Sequence, residues 1–343
     1  VTRADAHPEP PSQERIVAWL STPVAYAGDV RAVERVETHF AWVFLTGARA
    51  YKLKKSIRIH GADLRLLAVR EHFCREELRL NRRLAAPTYL AVQPVADGNA
   101  GLSIGGPGRV VDWLVEMREL DRSLMLDRRL RADDAGPQAL RQAVAHLHRL
   151  DVPGTATPAA PRELLDGVHA RAAEALAEIA RPEFAVPPAL CNSFAAALRA
   201  RLHEAEPLLA ARAGRLRDGH GDLRAEHVWL GEPLQIIDAL EFDPALRRLE
   251  AAEDVAMLAV DTERLAGPWT RRELCAAHEE LAADPVPDAV WQVYLGLRAA
   301  MRAKVALWHL DDAHYAADPD RWRCRAFECL ALGAARLESP PRS

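Results

Sequence analysis

Apolar and polar positions alternate in the first third of the chain and change to helical spacing in most of the rest. Trp42-Val43-Phe44-Leu45 is a strand-forming run, Thr46 to Arg49 a turn, and Tyr51 to Lys55 alternates. This predicts a hairpin whose second strand carries Lys52 and Lys54 on one face and Tyr51, Leu53 and Lys55 on the other. Phe73, Leu78, Leu80 and Leu84 recur at roughly helical spacing, so a helix is expected over Arg70 to Leu84, closed by Pro87. Val110 to Met117 is an apolar strand. Helices follow at Gln138 to Leu150, Arg162 to Ala180 and Pro188 to Ala213, with four more after Glu250. Pro153 to Pro161 is a Pro-, Ala- and Thr-rich linker. Between the helices, Val228 to Leu230 and Leu234 to Ile237 form a short apolar hairpin turning at Gly231-Glu232-Pro233. The expected division is a mobile tail at 1–15, a small sheet domain at 16–117, a hinge at 118–121 and a helical domain at 122–340. There is no heptad repeat or internal duplication.

The short hairpin gives the chain its chemistry. It follows His220-Gly221-Asp222-Leu223-Arg224-Ala225-Glu226-His227 and ends at Asp238. A hairpin of that length returns to its start, so Asp238 is expected close to the loop carrying Asp222. One carboxylate can orient an attacking hydroxyl while the other holds a divalent metal on phosphate oxygens.

Lysine usage is the second signal. Of 45 Lys plus Arg only four are lysines, and three of them, Lys52, Lys54 and Lys55, sit together. A compact ammonium is a point charge suited to phosphates, and a guanidinium does not replace it well. Lys52, or else Lys54, is the candidate phosphate grip, with Glu76 or Glu77 as its acidic partner on the following helix. No Gly-x-Gly-x-x-Gly or Gly-x-x-x-x-Gly-Lys-Ser/Thr motif is present. Backbone N–H groups and Thr38 in the Val33 to Phe40 segment would serve instead. Gly101, Gly105, Gly106 and Gly108 read as a flexible hairpin rather than a phosphate cradle. His146 and His148 read as packing or surface residues.

Composition narrows the classes. The net charge of −4 implies no broad basic field for nucleic acid. Ala289 to Leu310 comes nearest to a membrane span, but Arg298, Arg302 and Lys304 interrupt it. Val1 to Gln13 lacks the apolar core of a signal peptide. Five scattered cysteines favour free buried thiols in a reducing cytoplasm.

Thr38-His39, Phe44 to Gly47, Tyr51 to Lys55, Glu77 to Asn81, Met117-Arg118, His220 to Arg224, His227, Asp238 and Asp243 to Arg247 fall in one order. That order resembles the aminoglycoside phosphotransferase branch of the protein-kinase-like fold, over about residues 30 to 335, and in particular an uncharacterised bacterial group often fused to a P-loop ATPase domain. The resemblance implies an α+β bilobal fold with a small antiparallel-sheet N-lobe carrying one helix and a large, mostly helical C-lobe. It implies transfer of the γ-phosphoryl group of ATP, or of GTP, with Mg²⁺ or Mn²⁺, to a hydroxyl of a sugar, aminoglycoside or related polar metabolite.

The family pattern of a Glu seven residues before a Leu selects Glu77 ahead of Leu84. Carried over residue by residue, Asp222 is the catalytic carboxylate and His220 braces its loop. Lys52, Lys54, Glu77, Thr38, Met117 and Glu119 face the nucleotide, the last two at the hinge against a purine edge. Asp238 and His227 face the metal. His227 stands where the family usually has Asn, and imidazole is a poor ligand for Mg²⁺. With that departure, a nucleotide-binding pseudokinase is the alternative reading. A P-loop ATPase partner would have to come from a separate chain. The helices from Arg162 to Ala213 and those after Glu250 are expected to line the acceptor cleft; their carboxylates Glu163, Asp166, Glu253, Asp254, Asp261 and Glu263 read as solvated helix faces, and would favour a cationic or polyhydroxylated acceptor where several face the cleft.

Overall fold

In the computed structural model, which describes residues 11–59, 62–150, 161–311 and 318–338, the alternating stretch around residue 50 is the middle of a six-stranded antiparallel sheet. Its strands are β1 (Glu34–Glu37), β2 (Ala41–Leu45), β3 (Arg49–Lys54), β6 (Tyr89–Gly98), β7 (Gly101–Ile104) and β8 (Arg109–Arg118), in the order β1-β2-β3-β8-β6-β7. A two-stranded ribbon, β4 (Arg58–Ile59) with β5 (Ala62–Asp63), precedes helix α2 (Leu67–Ala85). The chain divides into two compact units, one ending at Leu120 and the other starting at Asp121.

The sheet unit has a helix that the sequence pattern does not announce. Of the expected tail, residues 1–10 lie outside the described residues, and Gln13 already opens α1 (Gln13–Leu20), capped by the Ser12 hydroxyl. Ile16, Val17 and Leu20 of α1 bury against Phe44, Leu53, Val95 and Leu114. The Gln13 amide donates to the Lys54 carbonyl at 2.9 Å and to Asp112 at 3.0 Å, and its oxygen accepts Ser56 N–H. These bonds pin the end of β3, where the lysines lie. Asp112 also takes the buried Arg70 guanidinium of α2 at 2.7 Å. The glycine-rich segment forms the turns flanking β7, with Gly101, Gly105 and Gly108 at positive φ.

The second unit is mostly helical. It contains α3 (Leu126–Arg131), α4 (Pro137–Leu147), α5 (Pro161–Ile179), α6 (Pro188–Ala210), α7 (Pro244–Arg247), α8 (Ala251–Ala266), α9 (Pro268–Ala282), α10 (Asp288–Trp308) and α11 (Pro319–Leu337). Two short ribbons, β9 (Arg217–Asp218) with β12 (Arg248–Leu249) and β10 (Val228–Trp229) with β11 (Gln235–Ile236), frame the loop at Asp222. The proline-rich linker lies, but for Pro161, outside the described residues.

Helix α10 is buried almost all round because α5, α6, α8 and α11 pack on it. Its charges are paired inside the unit, Arg298 with Glu253 at 2.9 Å and Lys304 with Glu174 at 3.0 Å. No helix among the described residues is long and apolar enough to cross a membrane. All five cysteines are free, but Cys324 is exposed rather than buried as expected.

Of the helical histidines, His146 is buried and the His148 ring stacks on that of His278, which is 2 % exposed. Burial, reinforced by His148, pushes His278 down to about 4 from its usual 6.5. Between those values the unfolded chain binds the extra proton. Stability therefore falls as pH drops from about 6.5 to about 4, by on the order of 3 kcal/mol from this group. Denaturant midpoints across that window should fall less steeply for His278→Gln than for the wild type, and equal slopes would refute this.

Candidate active site

In the sheet unit, the alternation of β3 sends Lys52 and Lys54 to the same face, and both reach one carboxylate. Lys52 Nζ lies 2.8 Å from Glu77 Oε1 and Lys54 Nζ 2.6 Å from Glu77 Oε2. Glu77 is fully buried on α2, whereas Glu76 is on the surface with Arg79. The Lys54 side chain is 3 % exposed and that of Lys52 15 %, so Lys52 is the more open of the two to an incoming ligand. Lys55 leaves the strand on the other side and pairs with Glu37 at 2.7 Å.

The other residues expected at the nucleotide are placed as follows. The Thr38 hydroxyl closes the β1–β2 turn, donating to the Ala41 carbonyl and accepting Ala41 N–H. Met117 is buried in β8 opposite Ala50. The Glu119 carboxylate accepts Gly47 N–H at 2.7 Å, and Glu119 N–H donates to the Ala48 carbonyl. Thr38 and Glu119 thus have side chains engaged in turns of their own unit.

In the helical unit, the loop at Asp222 is fastened on every side. The backbone N–H groups of His220 and Gly221 donate to the two oxygens of buried Asp254 on α8, at 2.8 and 3.0 Å. The Arg298 guanidinium donates to the Gly221 carbonyl. Gly221 sits at φ +86°, and a Cβ there would meet Arg247 Cγ at 3.1 Å and the Leu246 carbonyl at 3.2 Å. A side chain there is disfavoured by conformation and by space.

His220 is fully buried. Its Nε2–H donates to the Ile237 carbonyl at 2.9 Å, which leaves Nδ1 to accept Asp222 N–H at 3.3 Å. Both ring nitrogens are spent on backbone, so this ring positions Asp222 and has no lone pair left to take a proton. Burial holds its pKa below the usual histidine value.

His227 is fixed in the same way. Its Nδ1–H donates to the Asp222 carbonyl at 2.8 Å, so Nε2 is an acceptor and receives Arg224 Nη2–H at 2.7 Å. Burial, with the nearby Arg224 charge, pushes His227 down to about 4, so the ring is neutral near pH 7. Its Nε2 also lies 3.6 Å from Asp238 Oδ2. The β10–β11 hairpin thus returns Asp238 beside the loop, with Asp238 in the left-handed region at φ +62°. Asp tolerates that conformation better than most residues. The Asp222 and Asp238 side chains remain 28 % and 39 % exposed, while His220 and His227 beneath them are buried. Among the described residues no three His, Cys, Asp or Glu side chains cluster as a ready-made metal site. A hard ion held through one or two carboxylates and substrate phosphates needs no such cluster.

Arg224 belongs to the motif but has no role assigned from the sequence. Its guanidinium faces Asp222 Oδ2 at 3.1 Å, pairs with Glu226 and donates to His227. Its position two residues after Asp222 was the available signal, but an arginine in an arginine-rich chain is not distinctive.

Of the six carboxylates considered for the acceptor cleft, five are engaged by arginines or backbone, and Asp166 is a largely exposed surface charge. Glu163 pairs with Arg248 and Asp166 with Arg162. Glu253 takes Arg171 and Arg298, and Glu263 takes Arg271 and Arg336. Asp254 holds the loop, and Asp261 faces three arginines. The five engaged carboxylates, matched by arginines or backbone, offer a cationic acceptor no net attraction.

Comparison with known proteins places this geometry. No family model matches the chain. Uncharacterised proteins of Mycobacterium tuberculosis and Mycobacterium bovis are 29% identical over 287 residues, covering 78% of this chain and 53% of theirs. The chain thus spans about half the length of the curated relatives it matches. Among solved structures, a choline/ethanolamine kinase family protein from Mesorhizobium loti superposes with a TM-score of 0.55 at 18% identity, covering 96% of this chain and 95% of that one. The GDP and kanamycin complex of APH(2")-IIia gives 0.53 at 15% identity, covering 94% and 98%. An antiparallel sheet unit with a lysine–glutamate pair, followed by a helical unit with a braced His-Gly-Asp loop, is therefore a protein-kinase-like fold of the kind found in aminoglycoside phosphotransferases and choline/ethanolamine kinases.

Proposed function

We propose that this chain is a small-molecule kinase that transfers the γ-phosphoryl group of ATP to a hydroxyl of a sugar or related polar metabolite. The observation that carries the reading is the pair Asp222 and Asp238. Both are brought to one loop by a hairpin, both are accessible, and both stand over histidines whose nitrogens are already used. Asp222 orients the acceptor hydroxyl and takes its proton as the oxygen attacks phosphorus. Arg224 keeps the Asp222 carboxylate in place. Lys52, braced by Glu77, grips the α- and β-phosphates, and Lys54 supplies a second counter-charge to the buried Glu77 carboxylate. Asp238 supplies an oxygen ligand for Mg²⁺. The ion, when bound, would neutralise charge on the transferring phosphoryl group. With His227 Nε2 given to Arg224, the metal role rests on Asp238. Free thiols throughout suit a reducing cytoplasm.

The test is transfer from ATP with Mg²⁺ to a panel of sugars, sugar acids, sugar phosphates and amino alcohols. Lys52→Ala should weaken ATP binding or turnover by on the order of tenfold or more, the loss of one charge-assisted contact. Lys55→Ala should be nearly silent, since Lys55 pairs with Glu37 away from Glu77. A damaging Lys55→Ala with a harmless Lys52→Ala would refute the strand's role. The Asp222–Arg224 ion pair and His227 in place of Asn favour a second reading, a nucleotide-binding regulatory pseudokinase. ATP binding with no transfer to any acceptor selects it.

A further inference from the structure

Buried arginines in the helical unit are, as a rule, closely paired. Arg212 grips Glu250 and Asp284 with contacts of 2.6–3.0 Å, and Arg171 grips both oxygens of Glu253 at 2.8 and 3.0 Å. One group, of which Arg302 is buried and Arg264 and Arg325 are partly buried, departs from this. Arg264 of α8, Arg302 of α10 and Arg325 of α11 converge on a single oxygen, Asp261 Oδ1, at 3.5, 3.4 and 3.9 Å. The other oxygen, Oδ2, is taken by Ala225 N–H of the catalytic loop at 3.0 Å.

One carboxylate oxygen cannot satisfy three guanidiniums, each with five donors. Arg264 Nε is buried with no acceptor. Burial, with the like charges of Arg302 and Arg264 beside it, pushes Arg325 down to about 10. The remaining acids nearby do not restore balance. Glu328 stands 3.8 Å from Arg264 and is mostly exposed, and Glu226, paired with Arg224, also acts on Arg302 and Arg325, which still leaves fewer acids than arginines. The cluster is not sealed, because the Arg325 side chain is 24 % exposed. A partly buried excess of positive charge with unused planar donors matches a carboxylate or phosphate in charge and geometry.

We propose that Arg264, Arg302 and Arg325 form an oxyanion site, for a phosphate or carboxylate group, beside the catalytic loop. This rests on the kinase reading in one respect: there, the oxyanion is carried by the acceptor, and Asp261 ties the site to the loop that positions Asp222. The favoured substrates are then sugar phosphates or sugar acids rather than aminoglycosides.

Calorimetry on the full chain with inorganic phosphate at constant ionic strength tests the site itself. Saturable binding should be weakened by on the order of tenfold in Arg325→Ala, partly restored in Arg325→Lys and unchanged in the control Lys55→Ala. The Arg325 and Lys55 variants should match the wild type in circular dichroism and melting temperature. No saturable binding, or binding lost in Lys52→Ala and kept in Arg325→Ala, overturns the proposal. Transfer assays then identify the source of the anion. Transfer to sugar phosphates or sugar acids, with KM raised in Arg325→Ala while kcat and the KM for ATP hold, assigns it to the acceptor. Transfer only to neutral or cationic acceptors overturns that assignment. Phosphate binding at Arg325 with no transfer to any compound leaves the site standing as a free-anion site and removes the kinase reading instead.

Discussion

Asp222→Asn should lower phosphoryl transfer by on the order of 10²-fold or more while leaving nucleotide affinity and folding nearly unchanged. The substitution keeps the size of the side chain and removes the group that takes the hydroxyl proton. The loop should keep its shape, because its fastenings are elsewhere. His220 and Gly221 N–H remain on Asp254, His220 still accepts from the backbone of residue 222, and His227 still donates to that residue's carbonyl. The side-chain contact that weakens is the ion pair with Arg224, which retains Glu226 and His227. Single-turnover and steady-state rates, with ATP affinity and melting temperature on the same preparations, give the result. Near wild-type transfer by the variant would sink the proposed mechanism.

Glu77→Gln should damage both stability and nucleotide binding. Glu77 is the shared partner of Lys52 and Lys54 and is fully buried. Removing its charge leaves the Lys54 ammonium, 3 % exposed, without that counter-charge beside a second ammonium. Breaking a buried pair from one side costs about 3–5 kcal/mol. Two like charges on one strand face should also drift apart, taking Lys52 from its place. The control is Glu76→Gln on the same helix. Glu76 pairs with Arg79 on the surface, so the change should stay within about 0.5 kcal/mol. Denaturant unfolding and ATP titration of both variants check this. Equal, small effects would mean that the buried pair supports neither the fold nor the site.

Local patterning predicts the β2–β3 hairpin, α2, β8, the long helices and the short hairpin before Asp238 in the sequence alone. Each shows its own period over a few residues. The candidate residues were legible for the same reason. The lysines sit on one face of a single strand, and Asp222, His227 and Asp238 belong to one loop and one hairpin.

What the sequence did not disclose depends on long side chains meeting across elements far apart in the chain. Helix α1 has eight residues and a polar first turn, too short to stand out by period. Its role comes from Gln13 reaching Lys54, Ser56 and Asp112. His227 reads as a metal ligand by position, and only the fold shows its two nitrogens turned to the Asp222 carbonyl and to Arg224. The carboxylates of α8 read as a solvated or cleft-lining set. In the fold, α10 and α11 bring arginines onto them, and the surplus falls at Asp261. Periodicity tells which face of a helix is buried. It does not tell which charge on another helix, dozens of residues away, will meet that face, because that pairing is set by helix packing.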